Sequence, residues 1–444
     1  MRVWFAVLAI SCHAARTAPL PLSPCTPKDS PQPLQCGRLS VPENRSNPSG
    51  RFISIQVAVV PATGERTSPP LYDFAGGPGI SEVASAGYWL TDGAIHRRHR
   101  DVVLVDQRGT GGSAFLDCPE LSLGDASAEV FPDAAVESCR ARLSQNADLA
   151  HYSTAETVAD VDAVRAALGH DRIDISGLSY GSRVAQEYLR AHPDRVRAAV
   201  LLGAVSPEVK LPLTFAATAE ETLEALARQC ARDPDCHAAV PDLMADVRGI
   251  AAPPQFWEAL RAQMITTDAQ RRLPWLLHRA ASGERGPLLE AMSPHPDGAS
   301  TALLLAVECP EDTLRATGAE RATAAAGPFG DYRLRRQTAA CRIWGVPPLP
   351  DSRPSFVTGD VPVLLLAGEM DSVTPPRWAE EIARHLRHAR VVTIPNLGHF
   401  PAGLSHMECY DQIIAQFFEA GSAEKLDTSC IQEMRPPPFS IASH

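Results

Sequence analysis

The stretch from Ile173 to Ala191 constrains this chain most. A short apolar run (Ile173–Ser176) meets Gly177-Leu178-Ser179-Tyr180-Gly181, and a helix-like segment (Arg183–Ala191) follows. A serine between two such elements sits on a sharp turn that exposes its hydroxyl at the end of a strand. That geometry leaves no room for side chains at Gly177 and Gly181, and glycine also relieves strained backbone. Two glycines around a serine are common, however, so the rest of the chain must separate a working elbow from an ordinary turn.

The flanking pattern supplies the fold class. Strand-like runs at Arg51–Val60, Pro69–Phe74, Asp101–Val105, Val196–Leu202, Val361–Leu366 and Arg390–Ile394 alternate with helix-like ones at Thr154–Leu168, Pro376–His388 and Tyr410–Ala420. Val158, Val161, Val164 and Leu168 share one helical face. Such alternation predicts an α/β protein, with a mostly parallel sheet covered by helices on both faces. Between Pro207 and Pro354 the strands stop, and Ala, Leu and Arg recur at helical spacing, as in Ala219–Ala231 and Gln255–Met264. The expected organisation is a core over 19–206, a helical insertion over 207–355, a second core part over 356–434 and a loose tail over 435–444.

With 444 residues and 45% hydrophobic content, the chain can bury a large core. A net charge of −11, with no basic run beyond His96–Arg100, argues against nucleic acid as a partner. Residues 1–18 read as a secretory signal peptide: Arg2, a short apolar run Val3–Ile10, then small residues. The run falls short of a transmembrane span. Leu8-Ala9-Ile10-Ser11-Cys12 also resembles a bacterial lipobox, so a lipid anchor through Cys12 is the alternative.

There are 11 cysteines, and setting Cys12 aside leaves an even number, as suits a secreted or periplasmic protein. They form sequence-near couples: Cys25/Cys36, Cys118/Cys139, Cys230/Cys236, Cys309/Cys341 and Cys409/Cys430. Pairing within couples is the expectation, although connectivity does not follow from sequence. No C-x-x-C and no suitable histidine pair supports a zinc site.

A serine nucleophile needs a base and a carboxylate to orient that base. Asp371, in Gly368-Glu369-Met370-Asp371, and His399, in Asn396-Leu397-Gly398-His399-Phe400, each follow a predicted strand. The order Ser179, Asp371, His399 is that of the α/β-hydrolase fold. Glu369 and His406 are the rivals for the second and third places. The developing oxyanion needs two donors; the N–H of Tyr180 supplies one, and the turn Gly76-Gly77-Pro78-Gly79 the other, through Gly77. A phosphate-binding role for that turn fails because no Lys-Ser/Thr follows. The scheme requires no metal and no cofactor.

Taken together, Gly76–Gly79, Asp106-Gln107-Arg108-Gly109-Thr110-Gly111, the elbow and the Asp371 and His399 turns resemble the proline iminopeptidase and tripeptidyl aminopeptidase branch of serine α/β-hydrolases. The Cys36, Cys309 and Cys341 contexts and the Cys409/Cys430 couple resemble its secreted tripeptidyl aminopeptidases. That resemblance spans most of residues 36–420. It implies an exopeptidase acting on free peptide N-termini, with a helical cap whose acidic residues hold the substrate ammonium. Glu308, Glu311 and Asp312 are the candidates here. Ala75 departs from the histidine or proline that often precedes the glycine turn. The alternatives are an esterase or lactonase using the same triad, and an inactive hydrolase fold used for binding.

Overall fold

The computed structural model of the chain describes residues 19–28, 30–121, 128–292, 299–324, 328–350 and 356–441. The expected leader over 1–18, with Cys12, lies outside the described residues. Among the described residues nine strands form one sheet: β1 (Ser23–Cys25), β2 (Leu34–Pro42), β3 (Phe52–Val60), β4 (Leu71–Phe74), β5 (Val102–Val105), β6 (Ile173–Leu178), β7 (Val196–Leu202), β8 (Val363–Gly368) and β9 (Ala389–Ile394). Their order is β1-β2-β3-β5-β4-β6-β7-β8-β9. The β1–β2, β2–β3 and β3–β5 pairs are antiparallel, and all the others are parallel.

The parallel strands read as unbroken apolar runs because both faces are buried. Within them alternate residues serve opposite layers. Val103, Val105, Ala199, Leu201, Val363 and Leu365 join one core, while Val102, Leu104, Ala198, Val200, Leu364 and Leu366 join the other. Ahead of the elbow, α1 (Ala86–Leu90), α2 (Asp133–Leu143) and α3 (Thr154–Ala167) precede β6. The helix α4 (Tyr180–Ala191) follows β6 directly and packs its Val184, Ala185 and Tyr188 into the first core.

The helical stretch after β7 comprises α5 (Phe215–Arg232), α6 (Pro234–Ala239), α7 (Leu243–Gly249), α8 (Pro254–Gln263), α9 (Thr267–Ala281), α10 (Gly286–Ala291), α11 (Thr301–Glu311), α12 (Gly318–Thr323) and α13 (Tyr332–Trp344). It does not pack as one unit. Helices α5 to α10 share their own core, centred on Leu223, Leu226, Leu260, Leu273 and Leu277. By contrast, Ala302–Val307 of α11 and Ala340, Cys341 and Trp344 of α13 enter the main core beside α3 and α4. Helix α11 is apolar around most of its circumference, and such a helix is stable only when surrounded. After β8 come α14 (Pro376–Ala383), then β9, then α15 (Glu408–Ala420), which covers the second core.

The end of the chain corrects the expectation of a loose tail. Phe439 is buried in the α5–α10 core, with the Arg271 guanidinium 4.0 Å from its ring centre. Ser440 N–H donates to the Arg271 carbonyl at 3.1 Å, and Arg271 Nε to the Pro437 carbonyl at 2.9 Å. Proline-rich composition masked an anchored aromatic.

The cysteines pair within their couples: Cys25–Cys36, Cys118–Cys139, Cys230–Cys236, Cys309–Cys341 and Cys409–Cys430, with Cα separations of 5.1 to 5.8 Å. Cys309–Cys341 ties α11 to α13 inside the main core. Among the described residues no helix is long and apolar enough to cross a membrane.

Candidate active site

The site forms where parallel strands end together. Leu178 of β6 pairs with Leu202 of β7, and Leu202 with Leu366 of β8. Gly368 of β8 in turn faces Ile394 of β9. The residues just beyond these ends, Ser179, Asp371 and His399, therefore open on the same edge of the sheet, where α/β folds place their ligands.

Ser179 has φ 57° and ψ −121°, a backbone state that L residues avoid. The glycines on either side allow it. A Cβ on Gly177 would lie 2.2 Å from the Gly181 carbonyl oxygen, and one on Gly181 would lie 1.9 Å from that of Phe74. Strain of this kind, held by close packing, marks functional turns. Ser179 N–H donates to the Leu202 carbonyl at 2.9 Å, and its side chain is only partly covered.

Asp371 and His399 are buried, 3% and 8% exposed. His399 Nδ1 lies 2.9 Å from Asp371 Oδ2 and 3.0 Å from Oδ1. The carboxylate also accepts the N–H groups of Val373 and Thr374, both at 2.8 Å. Gly368 makes this approach of loops feasible, since a Cβ there would stand 2.3 Å from the Gly398 carbonyl oxygen. Next to Leu202, a Cβ on Gly203 would come within 3.3 Å of His399 Cε1, which sets the imidazole beside the end of β7, whose Leu202 carbonyl accepts the Ser179 N–H.

Thr374 has no signal in the sequence. Its Oγ1 donates to Asp371 Oδ2 at 2.7 Å and lies 3.1 Å from His399 Nδ1. It thus fixes the carboxylate with a third donor. The rivals stand elsewhere. Glu369 is exposed and accepts the Asn396 N–H at 2.9 Å, and His406 is exposed beside Glu408 at 3.0 Å.

The glycine turn lies against the elbow. A Cβ on Gly76 would be 3.2 Å from Ser179 Cβ and 3.9 Å from its Oγ, so the Gly76–Gly77 peptide borders the hydroxyl. Gln107 Nε2 donates to the Ala75 carbonyl at 3.1 Å, and Ser300 N–H to the Gly79 carbonyl at 2.8 Å. The turn is therefore pinned from β5 and from the start of α11. Tyr180 turns its ring inward, with its hydroxyl 3.0 Å from Thr154 Oγ1. Behind the turn, burial pushes the carboxyls of Asp73, Glu82 and Asp106 up, and in Glu82 the neighbouring Asp73 adds to it.

The three acidic candidates are buried and engaged with protein groups. Glu311 accepts from Thr154 N–H at 2.7 Å and Thr154 Oγ1 at 2.8 Å. Asp312 pairs with Arg183 of α4 at 2.7 Å, and Glu308 accepts from Gln337 Nε2 at 2.6 Å. Burial raises the Glu308 carboxyl to about 7, opposed by Arg333 and reinforced by Asp312. Arg183 lies one helical turn beyond Ser179, so this cluster fastens α11 to the elbow helix.

A cluster of metal-ligating types, Cys118, Glu120 and Cys139, is accounted for by the Cys118–Cys139 disulfide.

Two family models match the chain: one described as alpha/beta hydrolase fold over residues 69–239, and one described as TAP-like protein over residues 324–430. Serine protease Hip1 of Mycobacterium tuberculosis is 25% identical over 456 residues, covering 89% of this chain and 87% of that protein. Tripeptidyl aminopeptidase of Streptomyces coelicolor is 24% identical over 468 residues, covering 92% and 85%. Carboxylesterase B of Mycobacterium tuberculosis is 27% identical over 451 residues, covering 89% and 86%. With its sheet, its elbow and these two matched segments, the chain is a serine hydrolase of the α/β-hydrolase fold, similar to the tripeptidyl aminopeptidases.

Proposed function

We propose that this protein is an exopeptidase that releases fragments of one to three residues from peptides with free N-termini, through an acyl-enzyme on Ser179. The observation that carries the reading is a strained, accessible Ser179 on the strand edge it shares with the buried His399–Asp371 pair. His399 takes the Ser179 proton as the hydroxyl attacks the carbonyl, and Asp371 holds the imidazole and stabilises its charge. The N–H groups of Gly77 and Tyr180 receive the oxyanion. His399 then protonates the leaving amine, and water, activated by the same imidazole, releases the acyl group. Hip1 and the Streptomyces enzyme, whose names describe peptidases, support peptide as substrate. The five disulfides support a working place outside the cytoplasm, reached through residues 1–18 as a signal peptide, with a lipid anchor on Cys12 as the variant.

A second reading, hydrolysis of small esters, is favoured by the similarity to carboxylesterase B. Aminoacyl, dipeptidyl and tripeptidyl chromogenic amides, each with a free or an acetylated N-terminus, separate the two. An exopeptidase cleaves only the free forms. Equal cleavage of free and blocked amides, or turnover of esters alone, would refute it.

A further inference from the structure

Residues Met264 to Thr266 join α8 to α9, and with the start of α9 they touch both loops that carry the acid and the base. The Ile265 carbonyl accepts the His399 N–H at 2.8 Å and the Phe400 N–H at 3.3 Å. Thr267 Oγ1 accepts the Gly398 N–H at 3.0 Å and donates to the Asn396 carbonyl at 3.5 Å. On the other loop, Ser372 Oγ donates to the Met264 carbonyl at 3.0 Å. Gln270 Nε2 bridges the Met264 carbonyl at 2.6 Å and the Met370 carbonyl at 2.8 Å. The Met370 side chain is itself a member of the α5–α10 core. Thr267 and Gln270 are 1% and 2% exposed, so water cannot readily replace either side chain.

These bonds fall on the residues adjacent to Asp371 and His399, and on His399 itself. The position of the imidazole is thereby tied to the α8–α9 junction. We infer that Thr267 and Gln270 are positioning residues for acyl transfer, locking the α8–α9 junction onto both loops. The inference rests on Ser179 and His399 being nucleophile and base. A hydroxyl at 267 and an amide at 270 are needed because each must satisfy backbone groups on a loop that has no secondary structure of its own.

The test uses Thr267→Val, Thr267→Ser and Gln270→Met in the full-length protein. For each, the rate of inactivation by a serine-directed phosphonate, kcat and KM on a chromogenic substrate, and the unfolding midpoint are measured. Thr267→Val and Gln270→Met are expected to slow inactivation and kcat by about tenfold, with KM within about twofold of wild type, as small displacements of a base do. Thr267→Ser is expected to react within about twofold of wild type. Wild-type reactivity in Thr267→Val and Gln270→Met would overturn the inference. So would failure of serine to restore Thr267→Val, a loss confined to KM, or a loss matched by the unfolded fraction. Absence of labelling in the wild type would instead refute the nucleophile assignment, and the inference with it.

Discussion

Glu308 offers a quantitative test of how α11 is held. Its carboxyl is 2% exposed, and the groups acting on it are Arg333, Asp312, Gln337 and Arg183. Folded, it keeps its proton up to about 7; unfolded, it releases it near the ordinary glutamate value of 4.5. Between these values the folded state binds more protons, so stability falls as pH rises from 4.5 to 7, and the penalty is complete above. At about 1.4 kcal/mol per pH unit, the displacement amounts to about 3 kcal/mol. Glu308→Gln keeps an oxygen for the Gln337 amide but cannot ionise. Its stability relative to wild type should therefore climb by about 3 kcal/mol between acid and mildly alkaline pH. Urea unfolding with the disulfides intact, run on both proteins across that range, measures the difference. A difference that stays constant with pH would refute the reasoning, because it would mean that Glu308 ionises alike in both states.

Other perturbations follow from single contacts. Thr374→Val removes the hydroxyl that donates to Asp371 at 2.7 Å; phosphonate labelling should slow by about three- to thirtyfold, with Thr374→Ser near wild type. Gly181→Ala places a Cβ 1.9 Å from the Phe74 carbonyl oxygen, so circular dichroism and labelling should show a misfolded or unreactive protein. Arg183→Met leaves Asp312 buried without the cation 2.7 Å away, and urea unfolding should register a loss of about 3–5 kcal/mol.

The sheet is legible because its central strands are buried on both faces, and a run such as Val102–Val105 fits little besides a buried strand. β2 gives no such signal. Its Gln35, Arg38 and Ser40 are partly or fully solvent-facing, and its register is set by pairing with β3 rather than by its own composition. Helical periodicity reveals the segment after β7 but not its partners, so α11 and α13 read as one insertion with helices whose core they do not share. The elbow is legible from its glycines, whose steric role depends on local backbone alone. The acidic cluster is not: Glu311 and Asp312 stand near in sequence to nothing that reveals Thr154 or Arg183 as their partners. Thr374, Thr267 and Gln270 carry no motif, because a single hydroxyl or amide acquires a role only from the loops folded against it.

Every step of the proposed cycle depends on Ser179 carrying the acyl group. Intact-mass spectrometry after reaction with a serine-directed phosphonate, followed by peptide mapping, shows which residue reacts. One adduct is expected, on Ser179, absent from a folded Ser179→Ala variant that also loses turnover. An adduct on another residue, or a Ser179→Ala variant that still turns over substrate, would contradict the acyl-enzyme cycle.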